Sequence, residues 1–386
     1  MKIKSVRAVL VKRPAPDLAG MRRPGWQDDA EIANPMSRYP RYKRNRTSWR
    51  PGMGDVVCVV TAEDGTTGYG TTRYGGAVAP LINDHLGPLL EGEPCMATER
   101  LWDMMFRMAS PYSAAGLASY AISAIDLALW VLKGKLLKRP VYELLGGPAR
   151  ENIFCYSTGN DTDWHMELGF SATKLACPYG PADGLSALDR NEELVARTRE
   201  LIGNKAELML DCWMAFDVEF AVRLAERLRP YRLKWMEDCL IPEDMDGFAE
   251  MRRRLPWQTL ATGEHWYGVL PFMQSATHRL VDILQPDIEW VGGITACTKI
   301  CHIAEAAGIS VMLHAGMNNA YGQHLTYAMP AAMWGEYFVY PPPGVPMSRM
   351  VPMPGTPVPS GGTLRPSDAP GFGLEVNAAW LEKFSA

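Results

Sequence analysis

The chain has 386 residues, 47% of them hydrophobic and 21% charged, which suits a soluble globular protein large enough for a main domain and a smaller one. Its formal net charge of −4 excludes a global pull toward nucleic acid or an anionic membrane. The eight cysteines are dispersed without a CxxC pair, and the N-terminal MKIKSVRAVLVKRPAPD has no apolar core followed by small residues. Reduced thiols, no secretory signal and a cytoplasmic location are therefore expected.

In chain order, KIKSVRAVLV reads as a strand and DVVCVVTAEDGTTGYG as a hairpin turning at Asp64 and Gly65, with three helices over 78–136. Strands followed by helices, without alternation, mark residues 1–130 as a separate α+β domain. Between strand and hairpin lies MRRPGWQDDAEIANPMSRYPRYKRNRTSWRPG, loop-like and strongly basic from Arg38 to Arg50. Arginines interleaved with Tyr39, Tyr42 and Trp49 would suit a nucleic-acid surface. The cluster is single and short, however, and a loop folding over a site to meet an anionic small molecule accounts for it better, because arginine offers a fork of donors matched to a carboxylate. The stretch 113–132, SAAGLASYAISAIDLALWVL, is long enough to span a bilayer, but Asp126 and the many small residues point to a buried helix between domains.

From Ala206 to Tyr340, apolar runs that read as strands end on a carboxylate or a histidine: Asp211, Glu237, Glu264, Asp287, His314 and Glu336. They stand 22 to 27 residues apart, about the length of one strand, one helix and two short loops. Helical spacing fills the intervals, as in Val218, Ala221, Val222, Ala225 and Leu228 before Pro230, and again in Ile294, Cys297, Ile300, Ile303 and Ala304. Strict alternation of strand and amphipathic helix predicts a parallel sheet closed into a (β/α) barrel, with the strand ends at its mouth. Cys297, Cys301 and His302 are read as helix packing, since 302 points away from the face shared by 297 and 301. Ten prolines from Pro341 to Pro370 predict a rigid extended connection.

Asp211, Glu237 and Glu264 would then converge on one mouth from three successive strands. Like charges a few ångströms apart repel unless something neutralises them. Oxygen ligands without cysteine or histidine favour Mg²⁺ or Mn²⁺ over Zn²⁺.

The motifs AISAIDLALWVLKGKLLKRPVYELLGG at 121–147, MLDCWM at 209–214, LKWMEDCL at 233–240, TGEHW at 262–266 and QPDIEWVGGIT at 285–295, with the His314 strand and PGFGLEVN, carry a resemblance. In order and spacing the chain resembles the enolase superfamily, mandelate racemase branch, and within it the acid sugar dehydratases of the rhamnonate dehydratase type. The resemblance implies an enolase-type barrel over 131–355, capped by the α+β domain 1–130, with 356–386 returning to the cap. It also implies Mg²⁺, with Mn²⁺ as a substitute, a small-molecule acid sugar as partner, and a homo-oligomer, an octamer by resemblance, without nucleic acid or membrane.

The residues take roles on that footing. His314 is the candidate base, and Asp287 one strand earlier would orient its imidazole and raise its basicity. Lys174, in SATKLACP, matches the first position of a Lys-x-Lys pair whose second lysine is a base in many members; here that position is Ala176. A missing second base argues against a racemase, epimerase or cycloisomerase and for one-base dehydration, with Lys174 binding the substrate carboxylate. By resemblance Glu336 stabilises charge in the transition state, His265 contacts substrate, and Arg46 reaches it from the capping loop. Asp211-Cys212-Trp213 agrees with the rhamnonate type, whereas no histidine precedes His85 and the first loop carries Arg22 and Arg23. The expected reaction is dehydration of an aldonate, L-rhamnonate or rather a relative such as L-lyxonate, to a 2-keto-3-deoxy acid by loss of the C2 proton and the C3 hydroxyl.

Overall fold

A computed structural model describes residues 1–12, 16–27, 30–43, 49 and 52–384. Three strands, β1 (Ile3–Val11), β2 (Asp55–Ala62) and β3 (Thr67–Arg73), form an antiparallel sheet in that order, β2 and β3 joined by the turn at Asp64 and Gly65. The first of the expected helices is a bent run from Gly75 to Leu90, interrupted where Pro80 and Pro88 remove backbone donors, and Thr98–Ala109 and Leu117–Leu137 follow. The last of these is pressed onto the sheet. A Cβ on Gly68 or Gly70 would stand 1.9 or 2.0 Å from the carbonyl oxygen of Ala128 or Ala124, so only glycine permits this approach.

Helix Leu117–Leu137 is buried almost all round, between that sheet and the barrel helix Gly293–Ala307, which accounts for its apolar length. Asp126 ties the two layers by accepting from Thr295 N at 3.0 Å and Thr295 Oγ1 at 2.6 Å, and burial pushes its carboxyl up to about 7. Cys297 and Cys301 are buried in Gly293–Ala307 while His302 is exposed, as helix packing requires.

Eight parallel strands make a nearly closed barrel: β4 (Ile153–Thr158), β5 (Ala172–Ala176), β6 (Glu207–Asp211), β7 (Met236–Glu237), β8 (Leu260–Thr262), β9 (Ile283–Leu284), β10 (Ser310–Val311) and β11 (Trp334–Phe338). The sheet runs β10-β9-β8-β7-β6-β5-β4-β11, and one parallel bridge, Val311 to Ala332, joins its two ends. Tyr156, Met209, Trp235, Ile283 and Met312 fill the interior. The proline-rich connection leads to β12 (Thr363–Leu364), which pairs antiparallel with β4, while Met353 and Val376 pack against Val11, Val57 and Tyr69 of the first sheet.

That sheet and the helices Thr98–Ala109 and Leu117–Leu137 are fixed over the mouth by polar contacts. Thr71 Oγ1 donates to Glu289 Oε1, Thr72 Oγ1 to Glu289 O at 2.7 Å, Ser119 Oγ to Trp290 O at 2.6 Å and Trp102 Nε1 to Gly292 O at 2.8 Å. All four acceptors lie in the loop after β9.

Candidate active site

The strand-end residues meet at the mouth beneath the cap. Register pairs Ala176 with Asp211 across β5 and β6, and Asp211 with Glu237 across β6 and β7, so the carboxylates of 211 and 237 share one rim. Lys174 Nζ is wholly buried between Glu237 Oε1 and Glu336 Oε1, the latter at 2.8 Å. Glu237 engages its other oxygen as well, accepting from Trp235 Nε1 at 2.8 Å and Gln285 Nε2 at 2.7 Å. Glu336 accepts from Thr158 Oγ1 and, at 2.8 Å, from Ala315 N.

Charge in this cluster follows from burial and neighbours. Burial opposes the Lys174 cation, yet Glu237 and then Glu336 hold its pKa well above the ordinary value. Burial pushes Glu237 up to about 8 against the pull of Lys174, with Asp211, Glu336 and Glu264 adding to the rise. Burial works against the Glu336 anion too, but Lys174 and His314 hold its carboxyl at about 2.

Across the mouth, His314 Nδ1 lies 2.7 Å from Asp287 Oδ2, and Nε2 lies 3.1 Å from Glu264 Oε2. Burial disfavours the imidazolium; Glu264 foremost, then Asp287, raise the His314 pKa to about 10. Glu264 Oε1 accepts from Trp213 Nε1 at 3.1 Å and stands 3.2 Å from His265 Nδ1, which is 3.3 Å from Asp238 Oδ2. Against burial, Glu264 and Asp238 raise His265 as well. Trp290 walls this side, its ring 5.0 Å from His314 and 5.8 Å from His265.

Asp238 is the residue that the sequence reading passed over. Alternation along a strand would turn it away from Glu237's side, but its φ of +49° reverses the chain and brings its carboxylate to the mouth. Asp238, Glu264 and His265 each offer a ligand atom within 4.8 Å of the others. Thr262 donates to Asp238 Oδ1 at 2.8 Å, whereas buried Oδ2 has no partner in hydrogen-bond geometry among the described residues. The Glu-Asp doublet at the end of LKWMED is the signal that could have found it.

The donor set fits a hard divalent cation. Carboxylates outnumber cationic groups at the mouth, one buried carboxylate oxygen lacks a hydrogen bond, and burial among other acids disfavours ionised Glu237. Asp211, whose Oδ1 accepts from Trp213 N at 3.0 Å, lies on the same rim.

Asn160 bonds both backbone groups of Ala176, giving Nδ2 to its carbonyl at 3.0 Å and taking its N–H at 2.8 Å, and so pins the β5 end at the position where a second lysine would stand. Arg23 pairs with Asp161 and, at 2.6 Å, with Asp163, and Arg22 pairs with Glu167 at 2.6 Å. Both arginines of the first loop thus grip the short helix Thr162–Glu167 that follows β4 and its N-cap, Asp161. Trp49, from the second cap loop, lies 6.0 Å from the Trp213 ring. Arg46 lies outside the described residues.

Residues 162–380 match the profile of the enolase C-terminal domain-like family, and residues 52–146 that of the mandelate racemase / muconate lactonizing enzyme N-terminal domain. The chain belongs to the enolase superfamily, mandelate racemase branch. It is 40% identical to an L-rhamnonate dehydratase of Saccharopolyspora erythraea over 384 residues, which is 98% of this chain and 97% of the other. Two crystal structures of a rhamnonate dehydratase of Gibberella zeae, one complexed with Mg, superpose with TM-scores of 0.90 and 0.91 at 33% identity, covering 100% of this chain and 96% of theirs. A 3,6-anhydro-D-galactonate cycloisomerase of Zobellia galactanivorans matches at 25% identity and a TM-score of 0.78, with 100% of both chains covered. The superfamily member described here is an enzyme of the hydro-lyase class, rhamnonate dehydratase-like in sequence and fold.

Proposed function

We propose that this enzyme dehydrates an aldonate such as L-rhamnonate or L-lyxonate to a 2-keto-3-deoxy acid, with Mg²⁺ as cofactor and Mn²⁺ as a substitute. The observation that supports it most is the imidazole–carboxylate pair of His314 with Asp287 at the same mouth as one buried lysine, with alanine at 176. Asp211, Glu237 and Glu264, with Asp238 beside them, would hold the cation, whose charge offsets the substrate carboxylate as C2 ionises.

His314 Nε2 takes the C2 proton while Asp287 accepts from Nδ1 and balances the imidazolium, the metal-assisted histidine chemistry general to enolase-superfamily sites. For that, Nε2 must first leave Glu264. Lys174 binds the substrate carboxylate, and Glu336 keeps Lys174 charged and steadies charge in the transition state. The same imidazolium gives the proton to the C3 hydroxyl, the C3–O bond breaks with its electron pair, and water departs. The enol left behind tautomerises to the 2-keto-3-deoxy acid. One group serving both carbons requires syn elimination. His265 contacts substrate from beside Glu264, and Arg46 binds it from the capping loop. In this reading residues 1–130 are the cap, 131–355 the catalytic barrel and 356–386 the returning segment, in a cytoplasmic homo-oligomer.

The test is a panel of five- and six-carbon aldonates scored for 2-keto product with and without chelator. At least one should turn over, with loss on chelation and recovery on adding Mg²⁺. No keto product from any aldonate, or full turnover after exhaustive chelation, would sink the substrate class or the cation respectively. Epimerised substrate without keto acid would favour a racemase or epimerase.

A further inference from the structure

We propose that Arg73, at the end of β3, is a substrate-binding residue of the cap that donates to hydroxyl oxygens beyond C3 of the sugar acid and so helps to set specificity. The inference rests on the sugar-acid reading above. Side chains two apart on a strand share a face, and Thr71 on that face already bonds the Glu289 carboxylate in the loop after β9. Arg73 therefore points to the same loop, and its guanidinium carbon lies 5.5 Å from the centre of the Trp290 ring, itself 5.0 Å from His314.

What singles Arg73 out is its lack of partners. A guanidinium has five N–H donors, and buried donors are normally satisfied. Arg199, also partly buried, gives its donors to the carbonyls of Tyr231, Gly203, Ala206 and Arg232. Arg73 is half-buried, and none of its donors enters a hydrogen bond or an ion pair among the described residues; its nitrogens keep some solvent access, so they are open to a ligand. The groups around it are Tyr340, Asp287, Glu289 and Asp55.

That company selects the ligand. A second carboxylate would be repelled by three neighbouring acids, and the substrate's own carboxylate has Lys174 across the mouth. A hydroxyl can accept from the guanidinium while donating to a carboxylate, so a polyol tail is matched by this mixed set.

The experiment compares a six-carbon aldonate with glycerate, which has no hydroxyl beyond C3, in the Mg²⁺-loaded wild-type, Arg73→Ala and Arg73→Lys enzymes. Arg73→Ala should raise KM for the long aldonate more than it lowers kcat. The ratio of kcat/KM for the long acid over glycerate should fall about tenfold to hundredfold, the loss of one or two charge-assisted hydrogen bonds. Arg73→Lys keeps the charge among the acids but not the fork, and should lower the ratio less; it is the variant to read if Arg73→Ala does not fold. An unchanged ratio in a folded variant overturns the proposal, because the residue would then act on both substrates through His314 or the fold. Calorimetric binding of the long aldonate separates this inference from the reaction. Binding to wild type without turnover, weakened by Arg73→Ala, would retain Arg73 while the dehydratase reading failed.

Discussion

On the β5–β7–β11 side of the mouth, Lys174 sits between Glu237 and Glu336 with every oxygen of both acids engaged. On the β8–β10 side, Glu264 is shared by two histidines and a tryptophan, and Asp238 keeps an oxygen without a hydrogen bond. The first side is finished in the sense that its polar atoms are satisfied before anything binds, so it supplies a fixed floor. The second is complete only with something added, since the base candidate is held as a cation by the acid it must let go. Proposed roles fall on both: the finished side offers Lys174, Glu237 and Glu336 from fixed positions, and the unfinished side offers His314 and Glu264 only once they part.

His314→Asn should break the unfinished side with the largest effect. Dehydration and C2 exchange should fall together, by about 10²–10⁴ or more. Deuterium wash-in at C2 of recovered substrate decides, and wash-in at the wild-type rate would name another base. Lys174→Met attacks the finished side and leaves two buried acids without their cation, for an expected loss of about 3–5 kcal/mol in urea unfolding. Lys174→Met combined with Glu237→Gln should regain much of that stability and none of the activity; no regain would mean that the cluster does not act as a unit.

In protein stripped of metal, His314 carries a pKa raised from its ordinary 6.5 to about 10. Its contribution to stability should thus be full below about pH 6.5 and be lost as pH rises toward 10. Asp287→Asn should move the upper end of that window down, as read from unfolding curves across pH; an unmoved window would detach Asp287 from the imidazole. Asp238→Asn should weaken Mg²⁺ binding about tenfold to hundredfold in calorimetry, the range expected for a supporting partner of a metal site. Unaltered affinity would remove Asp238 from the cation's surroundings. Trp213→Phe, which deletes one hydrogen bond to Glu264, should lower kcat/KM only severalfold, about 1 kcal/mol, and a hundredfold loss would show that the indole does more than steady that carboxylate.

Much of the barrel was legible because the βα unit repeats, and each repeat presents its last strand residue to the same mouth. Asp287 and His314 could be paired from adjacent strand ends alone. Asp238 could not, since strand alternation puts neighbours on opposite faces and only the left-handed backbone there reverses it. The contact of Lys174 with Glu237 joins residues 63 apart and depends on side-chain reach across two strand pairings, which no periodicity encodes. Arg22 and Arg23 stood out by composition, yet their partners, Asp161, Asp163 and Glu167, lie on a short helix and its N-cap that read as ordinary polar sequence. Arg73 was hidden for a related reason: it belongs to the cap, and its bearing on the site exists only once the two parts are stacked.

The barrel's two end strands meet through one bridge, in which Val311 N donates to Ala331 O at 2.9 Å and Met333 N to Val311 O at 3.3 Å. A seam held by so few backbone bonds is where a cylinder breathes most readily. His314 lies three residues beyond Val311, so the residue proposed to move the proton rides beside the most easily parted edge. Amide hydrogens along that edge should exchange with solvent before those between β5 and β6, which pair over five residues. Any ligand that fixes the imidazole against Trp290 would slow their exchange at a distance from its own contacts, making the seam a reporter of occupancy at the mouth.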